Sequence, residues 1–420
     1  MSGTATLPTI GSPELARTLA RVQARRRWSA VALTLPLLLF LLATLLVPIA
    51  LLLKRAVENP EVANTLPLAS QALAGWDHRG QPPDAAFAAI AKDLGRLDEG
   101  AQAGALARRL NAEVPGGRSL VMGSYRAIQG DWKNQPPAND AQARERLLAL
   151  DERWGDLTYW HAIAKNAQRW TPDYLLTSVD LKRGVAGGIE QVEPDQRVFG
   201  GILLRTFAIS AQVTVLCLLL AYPLAWWLST LPARKANVLM ILVLVPFWTS
   251  ILVRVAAWIV LLQREGLVNK ALLSLHLVSQ PLELLFNRVG VVIAMTHILL
   301  PFMILPLYSV MKAVPPSYLR AAVSLGSAPL AAFFRVVVPQ TYAGIGAGAL
   351  LVFILSIGYY VTPALLGGPN DQMISYYIAQ YTNVNVNWGM ACALGAVLLA
   401  ATLVLYGLYR KLAKAELSLG

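Results

Sequence analysis

Residues 29–53 are 25 consecutive positions without a charge, twelve of them Leu. As a helix this run rises about 37 Å, more than the roughly 30 Å hydrocarbon thickness of a bilayer. A run of this length needs lipid around it, which limits the fold more than any other feature of the chain. Arg17, Arg21, Arg25, Arg26 and Arg27 precede it, and Lys54 and Arg55 follow it. A cleaved signal peptide has a shorter apolar core and a small-residue cleavage site. Neither is present, so the run reads as an uncleaved first span with its N-terminus in the cytoplasm.

Five further apolar runs follow, at about 206–228, 237–262, 289–311, 342–363 and 389–409. The expected fold is all-α: a polytopic membrane protein with six transmembrane helices and both termini cytoplasmic. The positive-inside rule agrees with this orientation. The segments then facing the cytoplasm hold the N-terminal arginines, Arg234, Lys235, Lys312, Arg320, Arg335, Arg410, Lys411 and Lys414. The short external loops hold Arg264, Lys270 and Arg288. Trp28, Trp388, Tyr406 and Tyr409 sit at span ends, where an amphipathic ring is stable.

The net charge of +12 and a pI near 9.8 could mark a nucleic-acid binder. The distribution excludes it. Residues 54–198 hold 18 Lys/Arg and 19 Asp/Glu, whereas the rest of the chain holds 18 and 5. The basic excess therefore belongs to the apolar part. The near-neutral stretch is expected to be an extracytoplasmic, mostly helical domain between the first two spans. Trp76, Trp132, Trp154, Trp160 and Trp170 suggest a core of its own, with helices over 85–110 and 138–154. Gly116-Gly117, Pro136-Pro137 and Gly187-Gly188 mark breaks. The domain plan is thus 1–53, a cytoplasmic N-terminus and first span; 54–198, external; and 199–420, a core of five spans.

No phosphate loop, dinucleotide fingerprint, H-E-x-x-H, C-x-x-C or G-x-S-x-G occurs. No enzyme activity is expected, and any ATP chemistry must come from another chain. His78 and His161 are isolated in sequence. Cys217 and Cys392 lie in apolar runs and read as small buried hydrophobes.

The stretch 312–340, KAVPPSYLRAAVSLGSAPLAAFFRVVVPQ, lies in a predicted cytoplasmic loop. Pro315-Pro316 end the preceding span. Ser317 can cap a short helix that stops at Gly326, where a left-handed conformation costs glycine little. Ser327 and Pro329 open a second helix, and Pro339 stops it. Ala322 and Gly326 leave one flank nearly smooth. Such a helix suits a groove on another protein; a plain interfacial loop is the alternative.

This stretch resembles the cytoplasmic E-A-A-x3-G-x9-I-x-L-P motif of ABC-importer inner-membrane permeases. Arg320, Ala321, Ala322, Gly326, Val336, Val338 and Pro339 stand at its spacings. Two changes are conservative; Arg320 in place of Glu reverses a charge. Residues 245–269, 300–311 and 358–395 are also similar to the spermidine/putrescine type, and the likeness runs from about Arg205 to the C-terminus. The resemblance implies a MetI-like fold in a bacterial inner membrane, with the loop docked on an ATPase subunit. It also implies a second permease, a substrate-binding protein, and ATP with Mg held by the partner ATPase, with no cofactor in this chain. The cargo it suggests is a small solute such as putrescine or spermidine; an opine or amino acid is the alternative.

Arg254 is charged within a span and reads either as functional or as snorkelling. Trp248, Trp258, Tyr359 and Tyr360 are candidates to line a path by cation–π contact. The spans contain no carboxylate, and His297 shows no partner in sequence. Gly344, Gly346 and Gly348 permit close helix approach. Two rival classes remain: a membrane-anchored ligand sensor, weakened by the number of spans, and an ATP-independent carrier, weakened by the scarcity of intramembrane charge.

Overall fold

The computed structural model describes residues 13–133, 135–183 and 188–418, and the side chains of these except 13–19, 21, 24 and 412–418. Gly187 and the side chains of Arg17, Arg21 and Lys414 therefore lie outside the described residues. The chain divides into two compact units, Met1–Lys54 and Arg55–Gly420.

The described residues of the first unit lie in one helix, Pro13–Arg55, with Pro36 and Pro48 inside it. The apolar side chains of its span are exposed, as expected of a surface meant for lipid. The Thr34 and Thr44 hydroxyls donate to the carbonyls of Ala30 (3.1 Å) and Phe40 (2.8 Å). This internal bonding lets two hydroxyls sit in hydrocarbon.

In the second unit, residues 55–198 build a helical layer around one apolar cluster. Phe87, Ile90 and Leu94 meet Leu106, Leu110, Leu120, Leu147, Trp154, Trp160 and Ile163 there. Trp154 and Trp160 are fully buried, and each indole has a partner. Trp154 donates to Ser124 Oγ (2.9 Å), and Trp160 donates to the Trp154 carbonyl (2.8 Å). Trp170 departs from the expectation: it is 54% exposed.

The single helix expected over 85–110 is two, Asp84–Gly95 and Gly100–Glu113. Glycine stands on both sides of the break. The Gln129 amide donates to the carbonyls of Leu94, Gly95 and Leu97 (3.1, 3.3 and 2.8 Å), which satisfies the helix end. The helix expected over 138–154 is Asp140–Leu150 followed by a tight turn, Glu152–Gly155. The fold is mostly helical rather than all-α, because Leu181–Arg183 pairs antiparallel with Ile189–Gln191.

Asp93 is 1% exposed and accepts the Ala69 N–H (2.9 Å) in the first turn of the Pro67–Leu73 helix. Burial pushes its carboxyl above the usual carboxylate range, against the hydrogen bonds that lower it. A group whose pKa rises on folding contributes stability at low pH and loses it as pH climbs through the folded value. Thermal unfolding followed by tryptophan fluorescence should therefore show a stability loss that begins near pH ~3.9 and completes above the raised value. Asp93→Asn keeps the acceptor and should flatten that component. An unchanged pH profile in the variant would remove Asp93 as its source.

In the remainder, three helices are long and apolar enough to cross a membrane: Phe199–Thr230, Arg288–Ala313 and Trp388–Lys411. Two further pairs pass only if each is one bent span: Ala233–Trp248 with Ile251–Ser274 (95°), and Pro329–Gln340 with Tyr342–Gly358 (64°). With the first unit's helix, the candidate spans number four to six. The span expected over 237–262 is thus bent at its middle. Pro246 lacks an amide, and the turn Val245–Trp248 ends with the Thr249 N–H on the Pro246 carbonyl. The span expected over 342–363 ends at Gly358, and a separate helix, Val361–Leu366, follows.

Ile209, Val213, Cys217, Ala221, Ala225 and Leu228 form one buried stripe of the Phe199–Thr230 helix. They belong to the same cluster as Met295, Met303, Ile304 and Leu307 of the Arg288–Ala313 helix. Glycine brings a third helix close. A Cβ on Gly348 would lie 2.7 Å from Met303 Sδ, and one on Gly344 would lie 3.1 Å from Val310 Cβ. Gly346 instead faces Tyr409.

Candidate functional site

The Arg288–Ala313 helix ends at Val314, and a nine-residue helix, Pro316–Ser324, begins at once. Pro316 takes its first position, where the missing N–H costs nothing. Ser317 does not cap it; the capping position is Pro315, which makes no side-chain bond. Gly326 closes it with φ +94°. The Ser327 N–H donates to the Ala322 carbonyl (3.1 Å), and the Gly326 N–H donates to the Val323 carbonyl (2.9 Å). This pair of bonds is the Schellman ending, and it requires a left-handed residue at position 326.

The return arm starts with Pro329–Ala332 and widens to a π-turn over Phe333–Val337. Pro339 does not end the helical run, which continues through Val338–Gln340. Proline instead withholds an amide from the preceding turn, consistent with the widened π-turn before it.

The base of this loop is anchored and its tip is free. The Lys312 ammonium donates to the carbonyls of Ser229 and Leu231 (both 3.0 Å), at the end of the Phe199–Thr230 helix. The Phe333 ring stands edge-on to Trp226 at 5.0 Å, and the Tyr222 and Thr341 hydroxyls bond at 3.0 Å. By contrast, the Pro316–Ser324 helix has no buried residue. Arg320, Ala321 and Gly326 are exposed, as is Pro339; Ala322, Val336 and Val338 are half-buried. Leu325 is 88% exposed, with Leu330 and Phe334 also bare. Apolar knobs presented this way on an anchored loop are suited to a groove in another protein.

The candidate path residues are only partly brought together. Trp258 Nε1 donates to His297 Nδ1 (3.3 Å), with the rings edge-on at 5.4 Å. His297, without a visible partner in sequence, thus has one from a different helix. Arg254 lies within electrostatic range of both His297 and Tyr359. Its Nε is buried without a hydrogen-bond partner among the described residues. Tyr360 is exposed beside Tyr359. Trp248 is 77% exposed and makes no ring contact with this group among the described residues. Asp371 is paired: its Oδ1 receives Arg288 Nε (3.3 Å).

The profile of the family described as "Binding-protein-dependent transport system inner membrane component" matches residues 216–416. The spermidine/putrescine transport system permease protein PotB of Escherichia coli K12 is 36% identical over 193 residues, 46% of this chain and 70% of that protein. This chain belongs to that family. The permease is similar also to PotB of Haemophilus influenzae, 34% identical over 209 residues, 49% of this chain and 73% of the relative. The Escherichia coli inner membrane ABC transporter permease protein YdcU is 32% identical over 218 residues, 49% of this chain and 66% of the relative. A solved bacterial alginate ABC transporter, in complex with its alginate-bound periplasmic protein, superposes with TM-score 0.43 at 16% identity, covering 52% of this chain and 78% of that one.

The permease is the inner-membrane component of an ABC importer and is not itself catalytic. ATP is handled by ATPase partners. The matched region excludes residues 55–198, so the family profile does not describe the helical layer there.

Proposed function

We propose that the permease forms half of the translocation path for a small solute, with polyamines such as putrescine and spermidine as the favoured class. It would pair with a second permease, two ATPase subunits and an extracytoplasmic substrate-binding protein. The spans number six in this reading, with both termini cytoplasmic and residues 54–198 external. The loop 312–340 docks on the ATPase through Arg320, Ala321, Ala322, Gly326, Val336, Val338 and Pro339. Trp248, Arg254, Trp258, Tyr359 and Tyr360 line the path. ATP drives the cycle only if it binds one arrangement of the complex better than the other.

The observation that carries this reading is the Pro316–Ser324 helix, anchored at its base, closed by Gly326 and without a buried residue. The polyamine assignment is supported by similarity to two PotB proteins. One observation favours a second reading of the cargo. Arg254 has a buried Nε without a partner among the described residues, and the six apolar runs hold no carboxylate. A solute bearing a carboxylate, such as an opine or an amino acid, would complement that guanidinium.

The test is uptake into proteoliposomes holding the complete complex and its substrate-binding protein. Labelled putrescine should accumulate with ATP and stop with a hydrolysis-dead ATPase. Accumulation that persists without hydrolysis would sink the importer mechanism. Failure of putrescine alongside uptake of a carboxylated amine would select the second cargo.

A further inference from the structure

A cleft of about 550 Å³ opens between the helical layer of residues 55–198 and the segment that enters the Trp388–Ser418 helix. One wall carries Arg108, Arg109 and Arg118; the other carries Asn385 and Trp388. Three guanidinium groups thus face a space with one carboxylate, Glu61, in its lining, and Glu61 is ion-paired to Arg55. Arg109 is 8% exposed and committed to Asn166 Oδ1 (2.6 Å) and Glu113 (2.8 Å). The guanidinium groups of Arg108 and Arg118 are different. Both side chains are exposed, and neither has an ion-pair or hydrogen-bond partner among the described residues.

The cleft is also mechanically connected. The Tyr174 ring, which stacks under Arg109 at 4.9 Å, packs on Gly389, the second residue of the Trp388–Ser418 helix. A group held in the cleft would therefore touch the inserted layer and the start of a candidate span at once. A polycationic solute is the wrong occupant, since two unpaired guanidinium groups repel it. We propose that the cleft is the docking site for an acidic surface segment of the substrate-binding protein, with Arg108 and Arg118 receiving its carboxylates. This rests on the importer reading above, and it gives residues 54–198 a receptor-recognition role.

The test uses the complete transporter in nanodiscs and its purified cognate substrate-binding protein. Binding is measured at low and at about 0.3 M salt. The double variant Arg108→Glu/Arg118→Glu should weaken binding about tenfold or more and lose most of the salt dependence. Arg108→Lys/Arg118→Lys should stay near wild type. Asn385→Asp adds a negative charge to the opposite wall without removing an arginine, and it should weaken binding in the same direction. Basal ATPase activity without the binding protein should not change. The proposal is overturned if the Glu variant, or Asn385→Asp where the former does not assemble, binds within twofold of wild type. It is equally overturned if the effect appears only in phosphatidylglycerol nanodiscs and not in phosphatidylcholine ones, which would assign the cleft to lipid. A wild-type complex whose ATPase ignores the binding protein would instead refute the importer reading, and this inference with it.

Discussion

Gly326→Glu should abolish ATP-driven uptake while leaving the chain inserted in the membrane. The substitution acts twice. Gly326 has φ +94°, and a residue with a side chain there must hold a left-handed conformation that costs it roughly 1–2 kcal/mol. That strain falls on the two bonds that close the Pro316–Ser324 helix, from the Ser327 and Gly326 amides. The second effect is at the surface. A Cβ at 326 meets nothing within 4 Å among the described residues, so no clash with them arises. The added carboxylate projects into whatever faces the loop. Gly326→Ala separates the two contributions, because it brings the strain without the charge. We expect Ala to reduce uptake by about tenfold, in line with 1.4 kcal/mol per decade, and Glu to remove it. Co-purification of the ATPase should fall in the same order. Full transport by Gly326→Glu would show that the loop tip does not meet the ATPase.

The loop was legible in sequence because its signals are local. Two prolines, a glycine and a third proline fix where short helices begin and end, and these residues act through their own backbones. Ser317 misled for the same reason: a hydroxyl at the right spacing suggests a cap, but Pro315 and Pro316 already set the entry conformation. Pro339 misled differently. In sequence it suggests a stop, whereas the chain absorbs the missing amide in the π-turn Phe333–Val337.

What hydropathy could not show is where apolar runs bend. Residues 237–262 contain enough apolar length to cross a bilayer, yet Pro246 and the turn after it produce a 95° break. Partners across helices were equally hidden. The bond from Trp258 to His297 joins residues 39 positions apart, and nothing in either local pattern announces it. The split of the 85–110 helix depends on Gln129, a side chain from beyond the following helix. Arg320 was visible as a charge reversal, and the structure adds its setting. It is exposed on a loop that holds Lys312 and Arg335 and no carboxylate at all. An acidic groove on the ATPase would complement it.

Trp160→Ala should unfold the helical layer of residues 55–198 while sparing assembly with the ATPase. The Trp160 ring lies between Phe87 (4.5 Å) and Trp154 (5.5 Å) and is fully buried. Removing it leaves a large void and strips the Trp154 carbonyl of its indole donor. Changes of this kind cost about 3–5 kcal/mol, a large part of the roughly 5–15 kcal/mol that holds a domain together. The damage should stay local, because the cluster around Trp160 shares no residue with the one around Cys217, Met303 and Leu307. Limited proteolysis should then cut within residues 55–198, and stimulation of the ATPase by the substrate-binding protein should fall. The ATPase should still co-purify, since the loop at 312–340 is anchored to Tyr222, Trp226 and Ser229 of the Phe199–Thr230 helix and to Leu231 just after it. Loss of ATPase assembly together with the fold of residues 55–198 would mean that the two clusters form one cooperative unit, and that recognition of the binding protein cannot be assigned to residues 54–198 alone.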